Sequence, residues 1–485
     1  MNPTSAALEP ANNNLENIKR LPILITLIIG AFFSILNETL LNIAFVDLMA
    51  DLNVTYTTVQ WLSTSYMLVV GILIPVSALL VQWFTTRQMF IGAMTLFSIG
   101  TLVCALSPEF SVLLIGRIIQ ALGTGLMLPV MMNTILVLYP PEKRGAAMGS
   151  IGLVIMFAPA IGPTLSGLIL ESLHWRWLFF LVLPFAIFSI LFAIVYLKNV
   201  TKITKPKVDV LSILLSTVAF GGIVFGFSSL GEGAGGWSNP RVYVAVIAGS
   251  ISLVLFIVRQ LVSKSPMLDL RAFKTPMFSF GTVLIIIVMM SLFSTLLLLP
   301  ILMQSGLGLT AAAAGLVLLP GGVLNGFLSP VTGKLFDKYG PRALVIPGSA
   351  ILVIVMWAFT QISLDTSTSM IILLHCTMSI AMSMIMMPAQ TNALNGLAPS
   401  YYPHGSAILN TLQQVSGALG IAFFVSIMSS SKNSYLADSA DPTSPLEVAN
   451  SIGVGINSAF TIGMVFAIIA LVMSFFIRRS VAPKG

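Results

Sequence analysis

Two ionisable side chains lie deep inside otherwise apolar stretches of this chain. Glu38 alone among the 16 acidic residues stands well within such a stretch, in Ser34-Ile-Leu-Asn-Glu-Thr-Leu-Leu-Asn-Ile43. Arg117 is the only basic residue so placed, in Leu114-Ile-Gly-Arg-Ile-Ile-Gln-Ala-Leu-Gly-Thr-Gly125. A charge held in hydrocarbon costs about 2.5–3.5 kcal/mol on insertion scales, so it normally faces a water-filled path or a partner. A buried carboxyl suits proton uptake and release, whereas a permanent guanidinium partner would block protonation and make a fixed ion pair that staples two helices. Coupling to transport requires any such pair to break during the cycle. Asn37, Asn42, Gln120 and Asn133, with Trp61, Ser65 and Tyr66, add polar and aromatic groups near the same level and together suit the lining of a cavity. Farther along, His375 and Met382 stand in a methionine-rich run whose flexible thioethers can adapt to ligands of different shape. The chain offers no nucleophile–base pair, phosphate-binding glycine loop or metal cluster, so neither an enzyme nor a metal site is expected.

The elements that must position these residues are membrane helices. The chain has 485 residues, 57% hydrophobic and 8% charged, against about 25% charged in soluble domains. In hydrocarbon only helices or closed barrels satisfy the backbone, and the apolar runs lack the two-residue alternation of barrel strands. Runs near the roughly 20 residues that cross a bilayer predict fourteen spans: Leu21–Phe45, Val59–Val81, Met89–Leu106, Phe110–Leu138, Ala146–Leu170, Trp177–Leu197, Val210–Leu230, Val242–Val262, Met277–Met303, Ala311–Val331, Ala343–Ile362, Met370–Leu394, Gly405–Met428 and Ile452–Ile477. The first run is too long for a signal-peptide core and is expected to stay as a span. Lys19, Arg20, Arg87, Lys143, Arg144, the lysines between Lys198 and Lys207, Arg259, Lys264, Arg271, Lys274, Lys334, Lys338, Arg342, Arg478, Arg479 and Lys484 then share one side. Only Arg176, Arg241 and Lys432 fall on the other. The positive-inside rule makes both termini cytoplasmic. The net charge of +7 is read as loops facing anionic lipid, with no nucleic-acid partner. Cys104 and Cys376 fall in apolar spans and are assigned to packing.

Span one runs outward and span four inward. Glu38 lies seven residues from Phe45 and Arg117 seven from Phe110, which puts both about 10 Å below one boundary. The stretch Pro75 to Arg87 has the length of Pro330 to Arg342, and the loop after Tyr139 echoes that after Tyr402. These echoes divide the chain into a six-helix bundle over residues 1–200, an inserted pair over 201–265 and a second six-helix bundle over 266–485. Repeats of this kind place the substrate path at their interface.

Several segments resemble the major facilitator superfamily, and within it the fourteen-span drug:proton antiporters, which include multidrug and lincomycin-type exporters. Gly333-Lys-Leu-Phe-Asp-Lys-Tyr-Gly-Pro-Arg342 resembles the cytoplasmic loop signature. Arg117 to Gly125 resembles the span-four motif, Gly162-Pro163 the antiporter motif of span five, and Trp175-Arg-Trp-Leu-Phe179 a segment entering span six. The first-half loop departs from the pattern, with Gln82, Ala78 and Thr85 in place of Asp and two Gly. The usual acidic position of span one is Asn37, with the carboxylate displaced by one to Glu38.

The resemblance implies an all-α integral membrane protein of the major facilitator fold, with two six-helix bundles plus two extra helices. It also implies proton-coupled efflux of amphipathic drugs by alternating access in a bacterial plasma membrane. Glu38 and Arg117 would couple protons; Gly162, Pro163, Gly333, Asp337, Gly340 and Arg342 would serve gating, with Asp337 able to cap or face a helix N-terminus. No cofactor beyond a proton gradient is implied, and the chain is expected to act as a monomer. Export of an endogenous lipid, antibiotic or metabolite is the alternative, ahead of a polytopic membrane enzyme.

Overall fold

A computed structural model describes residues 20–138, 158, 161–197, 199, 209–230, 236–263, 266–398, 401–439 and 441–480. The long helices are α1 (Arg20–Leu52), α2 (Trp61–Trp83), α3 (Thr86–Ala105), α4 (Phe110–Leu138), α5 (161–172), α6 (Trp177–Tyr196), α7 (Val210–Ser229), α8 (Pro240–Val262), α9 (Pro276–Ile301), α10 (Ala311–Tyr339), α11 (Arg342–Phe359), α12 (Thr368–Asn395), α13 (Tyr402–Asp438) and α14 (Pro445–Ser474). Thirteen helices among the described residues are long and apolar enough to cross a membrane. Of the expected span Ala146–Leu170, residues 146–157, 159 and 160 lie outside the described residues, as does the loop after Tyr139.

Several helices outlast their apolar runs. Helix α1 continues to Leu52 rather than ending at Phe45, and α13 runs for 37 residues rather than stopping at Met428. Hydropathy marks only the part that hydrocarbon must solvate; polar ends such as Asp47, Asp51 and Lys432 keep their helical hydrogen bonds beyond it. Helix starts follow local chemistry. Thr85 and Gln88 form a reciprocal capping box at α3, and Asn239 caps α8 just ahead of Pro240.

The packing repeats eight helices on. Helix α4 lies against α1, α2 and α3, while α12 lies against α9, α10 and α11. Likewise α6 packs on α1 and α3, and α14 on α9 and α11. Arg87 Nη2, at the start of α3, donates to Ile194 O near the end of α6 at 2.6 Å. Arg342 Nε, at the start of α11, donates to Ile477 O just past α14, also at 2.6 Å. Arg87 and Arg342 thus mark one face of the molecule, the basic face.

Helices α7 and α8 pair with each other through Gly222, Gly226 and Gly249, where added Cβ atoms would run into the facing helix. The Asp209 carboxylate accepts from Arg259 Nη2 at 2.8 Å and joins the two ends. That bond holds its carboxyl at about 2, so the pair contributes above the ordinary carboxylate pKa and is lost as pH falls through about 2. The hairpin rests on α13 and α2 and leaves Leu214, Val218, Ile247, Ile251 and Leu255 exposed, the pattern of a lipid-facing surface.

Candidate functional site

The polar centre of α1–α4 is built around Arg117, which is fully buried. Its Nη1 donates to Asn37 Oδ1 at 2.7 Å and to Gln120 Oε1 at 3.0 Å, and its Nε donates to Leu62 O at 3.3 Å. Its guanidinium lies 4.0 Å above the Tyr66 ring, which adds cation–π attraction. Tyr66 Oη in turn meets Thr124 Oγ1 at 2.6 Å, and Gln120 Nε2 donates to Thr101 Oγ1 at 2.8 Å. One network therefore ties α1, α2, α3 and α4 together.

Glu38 is not part of it. Of the two arrangements open from the sequence, the fixed Glu38–Arg117 ion pair is not the one formed; Asn37 holds the guanidinium instead. One residue along a helix turns the side chain by about 100°, so adjacent positions cannot both face α4. Glu38 remains partly exposed, and its Oε1 is enclosed without a hydrogen-bond partner. A carboxyl in that setting can change its protonation without breaking a bond that holds the helices. Arg117 Nη2 also lacks a partner among the described residues, so the cation keeps a free donor.

The other cavity residues separate. Asn42 Oδ1 accepts from Ser63 Oγ at 3.3 Å and joins α1 to α2, while Ser65 Oγ donates back to Trp61 O within α2 at 2.5 Å. Trp61 turns its ring toward Phe225 of α7, 5.9 Å between centroids, away from the Arg117 network. The side chain of Asn133 lies outside the described residues. His375 and Met382 are buried on α12, and neither joins the network of α1–α4. Thr101 and Thr124 were not singled out from sequence. Thr124 stands four residues after Gln120, on the helical face that also carries Arg117, and that spacing is the signal that could have found it.

Of the gating positions, Gly162 gives α5 close access to α1, since a Cβ there would run into Thr39 Oγ1. The next turn touches α10: Gly315 would place a Cβ 2.5 Å from Pro163 O, and Thr164 Oγ1 donates to Gly315 O at 3.0 Å. Gly340 ends α10 with φ 77°, a conformation that suits glycine. Gly333 has open space around it. The expected capping role of Asp337 is not formed. Its side chain is exposed near the end of α10 and caps no helix among the described residues, while its carbonyl accepts from Arg479 Nη2 at 3.0 Å.

Comparison with known proteins places these features in context. Residues 27–421 match the family model described as Major Facilitator Superfamily. The chain is 55% identical over 472 residues to the lincomycin resistance protein LmrB of Bacillus subtilis, covering 97% of this chain and 98% of that protein. It is 25% identical over 438 residues to the multidrug export protein EmrB of Escherichia coli, covering 89% and 85%. Among solved structures, a D-xylose-proton symporter superposes with a TM-score of 0.66 at 15% identity, covering 95% of this chain and 98% of that one. An inward-facing bacterial homologue of the lysosomal transporter Spinster gives 0.65 at 16% identity, covering 94% and 96%.

Proposed function

Because the chain belongs to the Major Facilitator Superfamily, and so is a multi-pass membrane transporter rather than an enzyme, we propose that it exports amphipathic drugs in exchange for protons. The observation that carries the coupling is Glu38: a partly exposed carboxyl without a bond at Oε1, near a cation held by neutral acceptors at Nη1 and Nε and free at Nη2. Proton binding there alters the local charge next to Arg117 while the scaffold bonds stay intact. Substrate and proton then compete for one region of α1–α4. The drug reading is supported by the extensive identity to a lincomycin resistance protein.

The transporter works by alternating access between a bundle over residues 1–200 and another over 266–485, with 201–265 as an added hairpin. The recurring helix pairings and the matched Arg87 and Arg342 bonds support this division. The basic face and both termini lie in the cytoplasm of a bacterial cell, in accord with the positive-inside rule. Gly162 and Pro163 form a close crossing that slides during exchange, and the Gly333–Arg342 segment latches the basic face. The working unit is a monomer driven by the proton gradient.

The test is transport of lincomycin in vesicles with an imposed pH gradient. Glu38→Gln is expected to abolish proton-driven accumulation against a gradient while leaving folded protein and substrate binding. Accumulation at the wild-type rate in that variant would remove Glu38 from the coupling step.

A further inference from the structure

The second half of the molecule holds a buried polar group that the mechanism above does not use. His375 stands seven residues after the start of α12, as Arg117 stands seven after the start of α4. Since α12 has the packing partners of α4 eight helices on, His375 occupies the register of Arg117. It is 6% exposed, its Nδ1 is enclosed without a partner, and the ring makes no hydrogen bond among the described residues. A neutral imidazole carries one donor and one acceptor.

The ring packs directly on the backbone of Gly321, in the space a side chain there would fill. A Cβ added to Gly321 of α10 would run into His375 Nδ1 and would stand 2.9 Å from Ser379 Oγ. Ser379 follows His375 by four residues, on the same helical face, and is buried. Met382 continues that face toward the basic side, also buried. The hydroxyls of α9, which packs on α12, are engaged elsewhere: Ser291, Ser294 and Thr295 each donate to a carbonyl of their own helix. Helix α9 has no charged residue, and those of α10 and α11 (Lys334, Asp337, Lys338, Arg342) cluster at the basic end. Those of α13, namely His404, Lys432 and Asp438, lie toward its two ends.

We infer that His375 Nε2, on a ring seated against Gly321, and Ser379 Oγ form a hydrogen-bonding subsite for a hydroxyl or amide group of a polar substrate. Met382 contacts the adjoining apolar part. The inference rests on the exporter reading and adds contacts from α10 and α12 to the region of α1–α4 where substrate and proton compete. Burying such groups unpaired is costly, and a substrate that bonds them recovers that loss. A ligand without hydrogen-bonding groups gains nothing there.

Purified protein is titrated with lincomycin, which carries hydroxyls and an amide, and with tetraphenylphosphonium, which carries neither. His375→Leu and Gly321→Ala are each expected to lower the ratio of lincomycin to tetraphenylphosphonium affinity about tenfold, one by removing the ring and the other by displacing it. His375→Gln, which keeps a donor and an acceptor, is expected to stay within about threefold of wild type. An unchanged ratio in His375→Leu, or equal loss for both ligands, overturns the subsite. Wild-type protein that binds only tetraphenylphosphonium overturns the subsite and leaves the exporter reading standing; binding of neither ligand removes both. Proton-driven accumulation lost in His375→Gln at unchanged affinity would assign the ring to proton transfer and overturn its role in recognition.

Discussion

Arg117 keeps its charge in an apolar interior by spending it on neutral acceptors, of which Asn37 Oδ1 is the nearest at 2.7 Å. Asn37→Leu removes that acceptor and leaves Nη1 with Gln120 Oε1 at 3.0 Å and the longer contact to the backbone carbonyl of residue 37 at 3.4 Å. Hydrogen bonds to charged groups are worth about 1.5–3 kcal/mol, so a loss of that size in thermal stability in detergent is expected. Asn37→Asp restores an acceptor and should hold stability near wild type. If Asn37→Leu melts with wild type, Asn37 is filler rather than anchor. The depth shared by Arg117 and the Asn37–Glu38 pair was legible in the sequence, because rise per residue is fixed. Which of two adjacent side chains faces α4 was not legible, because that depends on how α1 is rotated against its neighbours. The displaced carboxylate is thereby freed from the structural bond.

At the scale of elements, helix count and order were legible because lipid forces each backbone segment to satisfy itself within one helix. Close helix approach was not, since glycine reads alike wherever it falls. Helix α3 shows the difference. A Cβ at Gly100 would stand 2.5 Å from the Gln120 backbone nitrogen of α4, whereas one at Gly92 would meet nothing within 4 Å. Gly100→Ala must therefore push α4 away and carry Gln120 and Arg117 with it. Overpacking of this kind costs about 1–3 kcal/mol, and lowered stability together with slowed export is expected. Gly92→Ala gains helix propensity of up to about 1 kcal/mol and should be neutral or slightly stabilising. Equal melting temperatures for the two variants would mean that the α3–α4 contact has slack. A second feature hidden from hydropathy is the π turn Leu302–Gly306 after Pro300, closed by Leu307 N donating to Leu302 O at 2.9 Å. The turn brings Gln304 of the second half against α1 of the first.

For the whole molecule, bonds between the halves among the described residues gather on the face opposite the basic one. Gln304 Nε2 donates to Ile43 O at 2.9 Å, Thr164 joins Gly315, and Lys432 Nζ of α13 lies 4.9 Å over the ring of Tyr56, which precedes α2. The arginines of the basic face bond within their own halves instead, Arg87 to Ile194 and Arg342 to Ile477. The echo of Pro75–Arg87 in Pro330–Arg342 was legible, but which face is fastened depends on contacts between residues more than 100 positions apart. Alternating access requires the fastened face to open once per cycle. Its direct test places cysteines at Tyr56 and Lys432 in a background where Cys104 and Cys376 are replaced by alanine, and links them with a reducible bifunctional thiosulfonate. Linking should lower lincomycin export in vesicles at least about tenfold, as the barrier to opening becomes covalent. Reduction should restore the rate, and each single-cysteine variant should respond to neither reagent. Full cross-linking with an undiminished rate would mean that this face stays shut throughout transport, and a rocking exchange between the two halves would have to be abandoned.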